Sequence, residues 1–245
     1  MDKHPLIWKP VLVILLSLYW LQACTSEGWQ DATMTAEQAT PWRLGKTIVP
    51  TSQTIELPEP ILQGRLTLEE ALSKRRSVRE FTEDPLTLEE IGQLLWAAQG
   101  VTHPDGYRTA PSAGALYPLE IYVVTAEGVH YYDPQGHLLS LHQPGDLRAA
   151  LHTVALRQEP VLKAPAVFVI TAVYERTEKK YGKERSPLYV HLEAGHAAQN
   201  LLLQAVALDL GGVPIGAFID DKVKGVLSLP DDHQPFYLIP VGHPE

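Results

Sequence analysis

Three guanidinium side chains fall within five residues at Arg75, Arg76 and Arg79, with the Ser77 hydroxyl between them. Cations held that close want a shared anion, and a phosphate accepts bidentate bonds from arginine and one more from a hydroxyl. A solvated basic helix end, favoured by the helix dipole, accounts for the same residues equally well. Residues 108–118, Arg-Thr-Ala-Pro-Ser-Ala-Gly-Ala-Leu-Tyr-Pro, enclose small side chains between two prolines and carry a glycine. There the backbone of Pro111, Ser112, Ala113 and Gly114 can approach something flat, although the string is also good turn chemistry before a strand. A third segment, Gly211-Gly212-Val213-Pro214-Ile215-Gly216, follows a long apolar run. Its glycines permit positive φ and would let backbone N–H groups point at a ring heteroatom; a helix C-cap and turn is the alternative. The segment closes a helix instead of opening one after a strand, which excludes a dinucleotide fingerprint.

Helices and strands must place these segments. Thr67 and Thr87 are N-cap residues, each followed by leucine and two glutamates that suit the positive end of a helix. After Thr87, Leu88, Ile91, Leu94, Leu95 and Ala98 recur at helical spacing as far as Gly100. Residues 120–125 and 128–132 read as a hairpin across Glu127-Gly128, residues 166–173 as a buried central strand, and residues 236–242 as a last strand. The longest helix runs from near Leu188 to Leu210 and is apolar on most faces, so it belongs inside. Irregular alternation of helices and strands with an antiparallel hairpin favours an α+β layer fold over a doubly wound one.

The chain has 245 residues, is 45% hydrophobic and carries a net charge of −9. One core-forming domain fits that length, and the acidic balance argues against a nucleic-acid partner, leaving a small molecule. Lys3 and Lys9 precede a short apolar run that ends at Leu21-Gln22-Ala23-Cys24. The pattern is that of an export signal over residues 1–23, and Leu-x-Ala-Cys resembles a bacterial lipobox, with lipid on Cys24. An uncleaved anchor or a misread start is the alternative. The protein is thus expected to be an exported bacterial lipoprotein anchored to a membrane. Cys24 is the sole cysteine, which rules out an intrachain disulfide and a dithiol pair. Residues 24–64 are polar and proline-punctuated, a linker and arm whose Ile48-Val49 and Ile55-Glu56-Leu57 could dock on the domain of residues 65–245.

Taken in order, the three segments from about Leu66 to Gly242 resemble the nitroreductase-like flavoproteins. The string from Ala110 to Glu120 is similar to the SagB-type branch, which includes the azoline dehydrogenases of thiazole- and oxazole-modified peptide pathways. The resemblance implies a mixed or antiparallel central sheet flanked by helices, and an intertwined homodimer with FMN at the subunit interface. It implies phosphate and ribityl contacts from Arg75, Arg76, Ser77 and Arg79, a flavin lined by Pro111, Ser112, Ala113 and Gly114, and Pro214, Ile215 and Gly216 near the ring. Gln199 and Asn200 match a segment packed under the site. Lys180-Tyr181 stand where a Lys-Tyr pair of azoline dehydrogenases removes a proton as hydride passes to flavin, a task a lysine base and a tyrosine relay can share. Read from the residues alone, Glu178-Lys179-Lys180 and Lys183-Glu184-Arg185 are a solvated charged loop.

Two departures limit the resemblance. Ala115 stands where many relatives direct an amide side chain at the flavin, and the chain stops at residue 245 without their additional basic phosphate ligands. The expected activity is hydride transfer between a small-molecule or peptide substrate and flavin. The alternative is a catalytically degenerate, membrane-tethered module that binds flavin or peptide. His191 and His196 share one helix, but no third ligand accompanies them, and no metal is expected.

Overall fold

The computed structural model describes residues 54–245. The expected export signal, Cys24 and the arm up to residue 53 lie outside the described residues. Seven strands form one sheet, and every neighbouring pair is antiparallel. In chain order they are β1 (Thr54–Glu56), β2 (Leu119–Val124), β3 (Gly128–Asp133), β4 (Leu138–Pro144), β5 (Ala166–Ala172), β6 (Gly211–Gly212) and β7 (Gln234–Gly242), and across the sheet the order is β1-β4-β3-β2-β5-β7-β6. The hairpin expected across Gly128 pairs Tyr122 with Tyr131 and Val124 with Val129. Residues of the expected arm enter the sheet: Thr54 pairs with Ser140, Glu56 with Leu138, and Leu57 is buried.

The central strands are buried on both faces, and strand alternation sorts them between two cores. Leu119, Ile121 and Val123 of β2, with Phe168 and Ile170 of β5, join one core; Tyr122 and Val124, with Val167 and Val169, join the other. That double burial is why β5 reads as a continuous apolar run. Helices α2 (Leu88–Gln99) and α5 (Tyr174–Ala207) cover the first face, whereas α3 (Arg148–Val154), α4 (Glu159–Lys163) and α6 (Asp220–Val226) cover the second. Helix α2 and the short α1 (Leu68–Lys74) both begin with capping boxes. The Thr67 and Thr87 hydroxyls accept from Glu70 N–H and Glu90 N–H, and the two glutamates reach back to the threonine amides.

Helix α5 starts earlier than its periodicity indicates. Residues 178–185, expected as a charged loop, are helical apart from Gly182, whose φ of 74° breaks the helix five residues before Pro187. Proline cannot donate to the preceding turn and clashes with it, and a glycine break at this point accommodates the disturbance. Beyond it, Ala194, Ala197, Ala198, Leu201, Leu202 and Ala205 bury a stripe at helical spacing. The break therefore lets a polar helical turn carrying Lys180 and Tyr181 leave the core while remaining attached to it.

Candidate active site

The basic segment is held by close backbone approach. Arg75 caps the end of α1, Ser77 forms a parallel bridge with Gly212, and Val78 N–H donates to the Gly212 carbonyl at 3.1 Å. A Cβ on Gly211 would lie 2.6 Å from Val78 Cβ and 2.7 and 2.8 Å from its two γ carbons. The sequence suggested that Gly211 and Gly212 supply positive φ, but neither does; Asp209, at φ 59°, makes the left-handed turn after α5. The glycines serve instead to bring two backbones together. Gly211→Ala is expected to cost about 1–3 kcal/mol through overpacking against a stiff β-branched neighbour. Thermal unfolding checks this: an unchanged Tm would contradict it, and adding Val78→Ala should restore part of the loss.

Among the described residues, none of Arg75, Arg76 and Arg79 has an acidic partner. Arg76 Nη1 donates to the carbonyls of Ser73 at 2.9 Å and Arg75 at 2.8 Å, and Arg79 Nη1 reaches the Ser77 carbonyl at 3.4 Å. Arg76 and Arg79 are exposed. Guanidiniums bonded only to local carbonyls are available to an incoming phosphate, which offers stronger, charge-assisted bonds.

Residues 109–117 run along α5. Asn200 Nδ2 donates to the Thr109 carbonyl at 3.4 Å, and Ser112 stands beside Glu193. At Gly114 the helix side chains crowd the loop: a Cβ there would lie 2.8 Å from Lys180 Nζ and 2.9 Å from Tyr181 Oη. Gly114, Ala115 and Tyr117 all have left-handed backbone, with φ of 64°, 53° and 44°. For the two residues that are not glycine this costs of order 1 kcal/mol each and persists only where other contacts enforce it. Ser112 Oγ accepts from Tyr117 N–H at 2.8 Å, Ala115 N–H donates to the Ser112 carbonyl at 3.1 Å, and Arg176 Nη1 donates to the Tyr117 carbonyl at 2.9 Å. On the other side, Tyr117 Oη accepts from Arg108 N–H at 3.2 Å.

Beneath this loop is a charged cluster that reading the sequence did not identify. Arg108 Nη1 donates to Gln99 Oε1 at 2.9 Å and its guanidinium lies 4.7 Å from the centre of the Tyr117 ring. Arg176 pairs with Glu120, which also accepts from the Tyr131 hydroxyl at 2.6 Å. Glu193 is only 2% exposed, and burial pushes its carboxyl up to about 7 against the opposing pull of Ser112, Arg108, Gln99 and Arg176. Three atoms of this cluster, Glu193 Oε1, Gln99 Nε2 and Arg108 Nε, lack a partner at hydrogen-bond geometry. The signal in the sequence was a carboxylate set into each of two apolar patterns, at 120 and at 193.

The fold brings the sequence-predicted residues together in two groups along α5. Lys180 and Tyr181 meet the loop at Gly114, while the basic segment meets Gly212, whose missing Cβ would lie 3.2 Å from Leu202 Cδ2. Asn200 and Leu202 are about 3 Å apart along a helix axis, so the base of the loop and the Ser77–Gly212 bridge lie at one level of α5. Pro214 is half-buried, and Gly216 and Gln199 are exposed. Ile215 is different: its side chain is in the second core and both its backbone polar groups bond Leu238, so it serves the fold. Depressions of about 550 Å³ at Phe81 and Lys163 and of about 370 Å³ at Leu86 and Ile91 include none of these residues. In the candidate site Arg76, Ser77, Arg79, Pro111, Gly114 and Gly216 are exposed, so the face that carries them is open to solvent.

The nitroreductase family profile matches residues 72–243. The chain belongs to the nitroreductase family. A nitroreductase-type protein of Methanocaldococcus jannaschii is 44% identical over 195 residues, covering 77% of this chain and 96% of its own. The crystal structure of a nitroreductase-type protein from Ralstonia eutropha superposes with a TM-score of 0.71 at 31% identity, over 80% of this chain and 92% of that one. An FMN reductase (NADPH) of Bacillus subtilis is 28% identical over 180 residues, which cover 71% of this chain and 65% of that protein. Membership of the nitroreductase family makes this chain a flavin oxidoreductase, and the mixed or antiparallel sheet expected from the sequence is fully antiparallel among the described strands.

Proposed function

We propose that this nitroreductase-family protein binds FMN and transfers hydride between it and a small-molecule or modified-peptide substrate, as a SagB-type dehydrogenase. The observation that carries the reading is the closure of Lys180 Nζ and Tyr181 Oη onto the Cβ position that Gly114 lacks. The missing Cβ leaves room for an acid–base pair beside the loop proposed to line the flavin, and a FMN reductase among the relatives supports the cofactor.

The residues present fit the group. Arg75, Arg76, Ser77 and Arg79 would hold its phosphate, the backbone of residues 111–114 its ring, and Pro214 and Gly216 a further edge. When bound, FMN supplies two-electron hydride chemistry that no side chain can. Lys180 holds or accepts the substrate proton at Nζ, and the Tyr181 phenol, adjacent on the same turn, relays it to solvent. The open face suits completion by a second subunit, and we take the working form to be a homodimer. We place the protein outside the cytoplasm, lipid-anchored through Cys24.

The visible absorption spectrum of the purified chain, with the released chromophore identified by mass, tests the cofactor. Bound FMN near one per subunit is expected. The double substitution Arg76→Ala, Arg79→Ala should weaken FMN binding by roughly tenfold to a hundredfold, since each charge-assisted bond contributes about 1.5–3 kcal/mol before solvent screening. A colourless protein that takes up no added FMN would overturn the reading.

A further inference from the structure

The residues that touch Gly114 are not the only ones that set the shape of the loop. Ser112 is the loop's internal fastening, because its Oγ accepts the Tyr117 amide at 2.8 Å. With that lone pair engaged, the Ser112 hydroxyl proton is left to donate, and the neighbouring acceptor is the Glu193 carboxyl. Glu193 is fixed on the buried stripe of α5 and cannot follow the loop out to solvent. Two donors of the same cluster lack a partner at hydrogen-bond geometry, Gln99 Nε2 from α2 and Arg108 Nε from the start of the loop.

We propose that Glu193 is a positioning residue for the loop of residues 112–117: its proton occupancy sets how the Ser112 fastening and the Arg108–Tyr117 contact are held, and so how the loop meets Lys180 and Tyr181. Ser112 donates to the carboxyl in either state, more strongly to the anion, and with a neutral carboxyl Arg108 stays over the Tyr117 ring. An ionised carboxylate draws in the Arg108 guanidinium, whose Nε lacks a partner, because a buried anion demands donors. Arg108 then leaves the ring, and the left-handed turn at Ala115 and Tyr117 loses one of the contacts that enforce it. The charged groups facing Glu193 are Arg108 from the loop and Arg176 from the start of α5, the latter engaged by Glu120 of β2. Burial places the carboxyl where this change falls near neutral pH. The consequence for cofactor affinity rests on the FMN reading; the coupling of Glu193 to the loop does not.

Hydrogen exchange on the flavin-free chain between pH 6 and 9, corrected for the intrinsic pH dependence of exchange, tests the coupling directly. In the wild type the Tyr117 amide should lose about threefold to tenfold of its protection as pH rises through 7, the worth of one hydrogen bond. In Glu193→Gln the protection should stay level. Ser112→Ala should leave the amide unprotected at every pH while the pH dependence of unfolding, which belongs to Glu193, persists. A parallel titration with FMN should show the wild-type Kd rising relative to that of Glu193→Gln above pH 7. Level protection in the wild type overturns the proposal even if Glu193→Gln fails to fold. Loss of protection in a protein that binds no FMN supports it and sinks the cofactor reading alone.

Discussion

Lys180→Met and Tyr181→Phe are each expected to lower turnover by about a hundredfold to ten-thousandfold while leaving bound flavin at its wild-type level. That range is the usual contribution of a positioned proton-transfer group. The argument for the pair is geometric. Lys180 is exposed and Tyr181 half-buried, with the Tyr181 ring 4.7 Å from that of Tyr189, so the phenol is braced and the ammonium is free to swing. Gly114→Ala supplies an independent test, because the new methyl would meet the flexible end of Lys180, which can yield, and the braced Tyr181 hydroxyl, which cannot. It should therefore resemble Tyr181→Phe more than Lys180→Met in its kinetics, with a further cost of about 1–2 kcal/mol for a left-handed alanine. Turnover that survives loss of both side chains, measured on flavin-replete protein, would remove proton transfer by this pair and leave the flavin assignment standing.

What the sequence made visible was local. The capping threonines, the hairpin at Gly128 and the continuous apolar run of β5 follow from neighbours in the chain, and the structure has them where periodicity and turn chemistry place them. Residues 178–185 were illegible because their charges face water on a helix just as they would on a loop, and composition cannot tell the two apart. Gly211 could be seen to matter, yet its reason lies in Val78, more than a hundred residues earlier, and no local rule connects them. The candidate site divides in the same way. Its basic segment and small-residue loop announce themselves, whereas Arg108, Glu120, Arg176 and Glu193 become a cluster only when β2, α2 and α5 are packed.

That cluster gives the second large effect. Glu193→Gln is expected to be more stable than the wild type above pH 7, by about 3 kcal/mol before any constant offset from the amide. The sign follows from where the proton binds. The carboxyl titrates near 7 in the fold, against an ordinary value of 4.5, so between those values the folded state holds a proton that unfolding releases. Rising pH therefore lowers stability across that window, the full loss is present above about 7, and below about 4.5 both states are protonated and the loss vanishes. The group is almost fully buried, so solvent screening takes little from the effect. Glu70, Glu127 and Asp146 act in the opposite sense, each lowered by hydrogen bonds at an exposed or largely exposed position, but they are common to both proteins and cancel in the difference. For a domain of this size the difference amounts to roughly 6–12 °C in Tm at pH 8, closing as the pH is brought down to about 5. Curves that run parallel from pH 5 to pH 8 would mean that Glu193 titrates in the fold as it does in the unfolded chain. That outcome would require the carboxyl to be far better partnered than its orphaned Oε1 indicates.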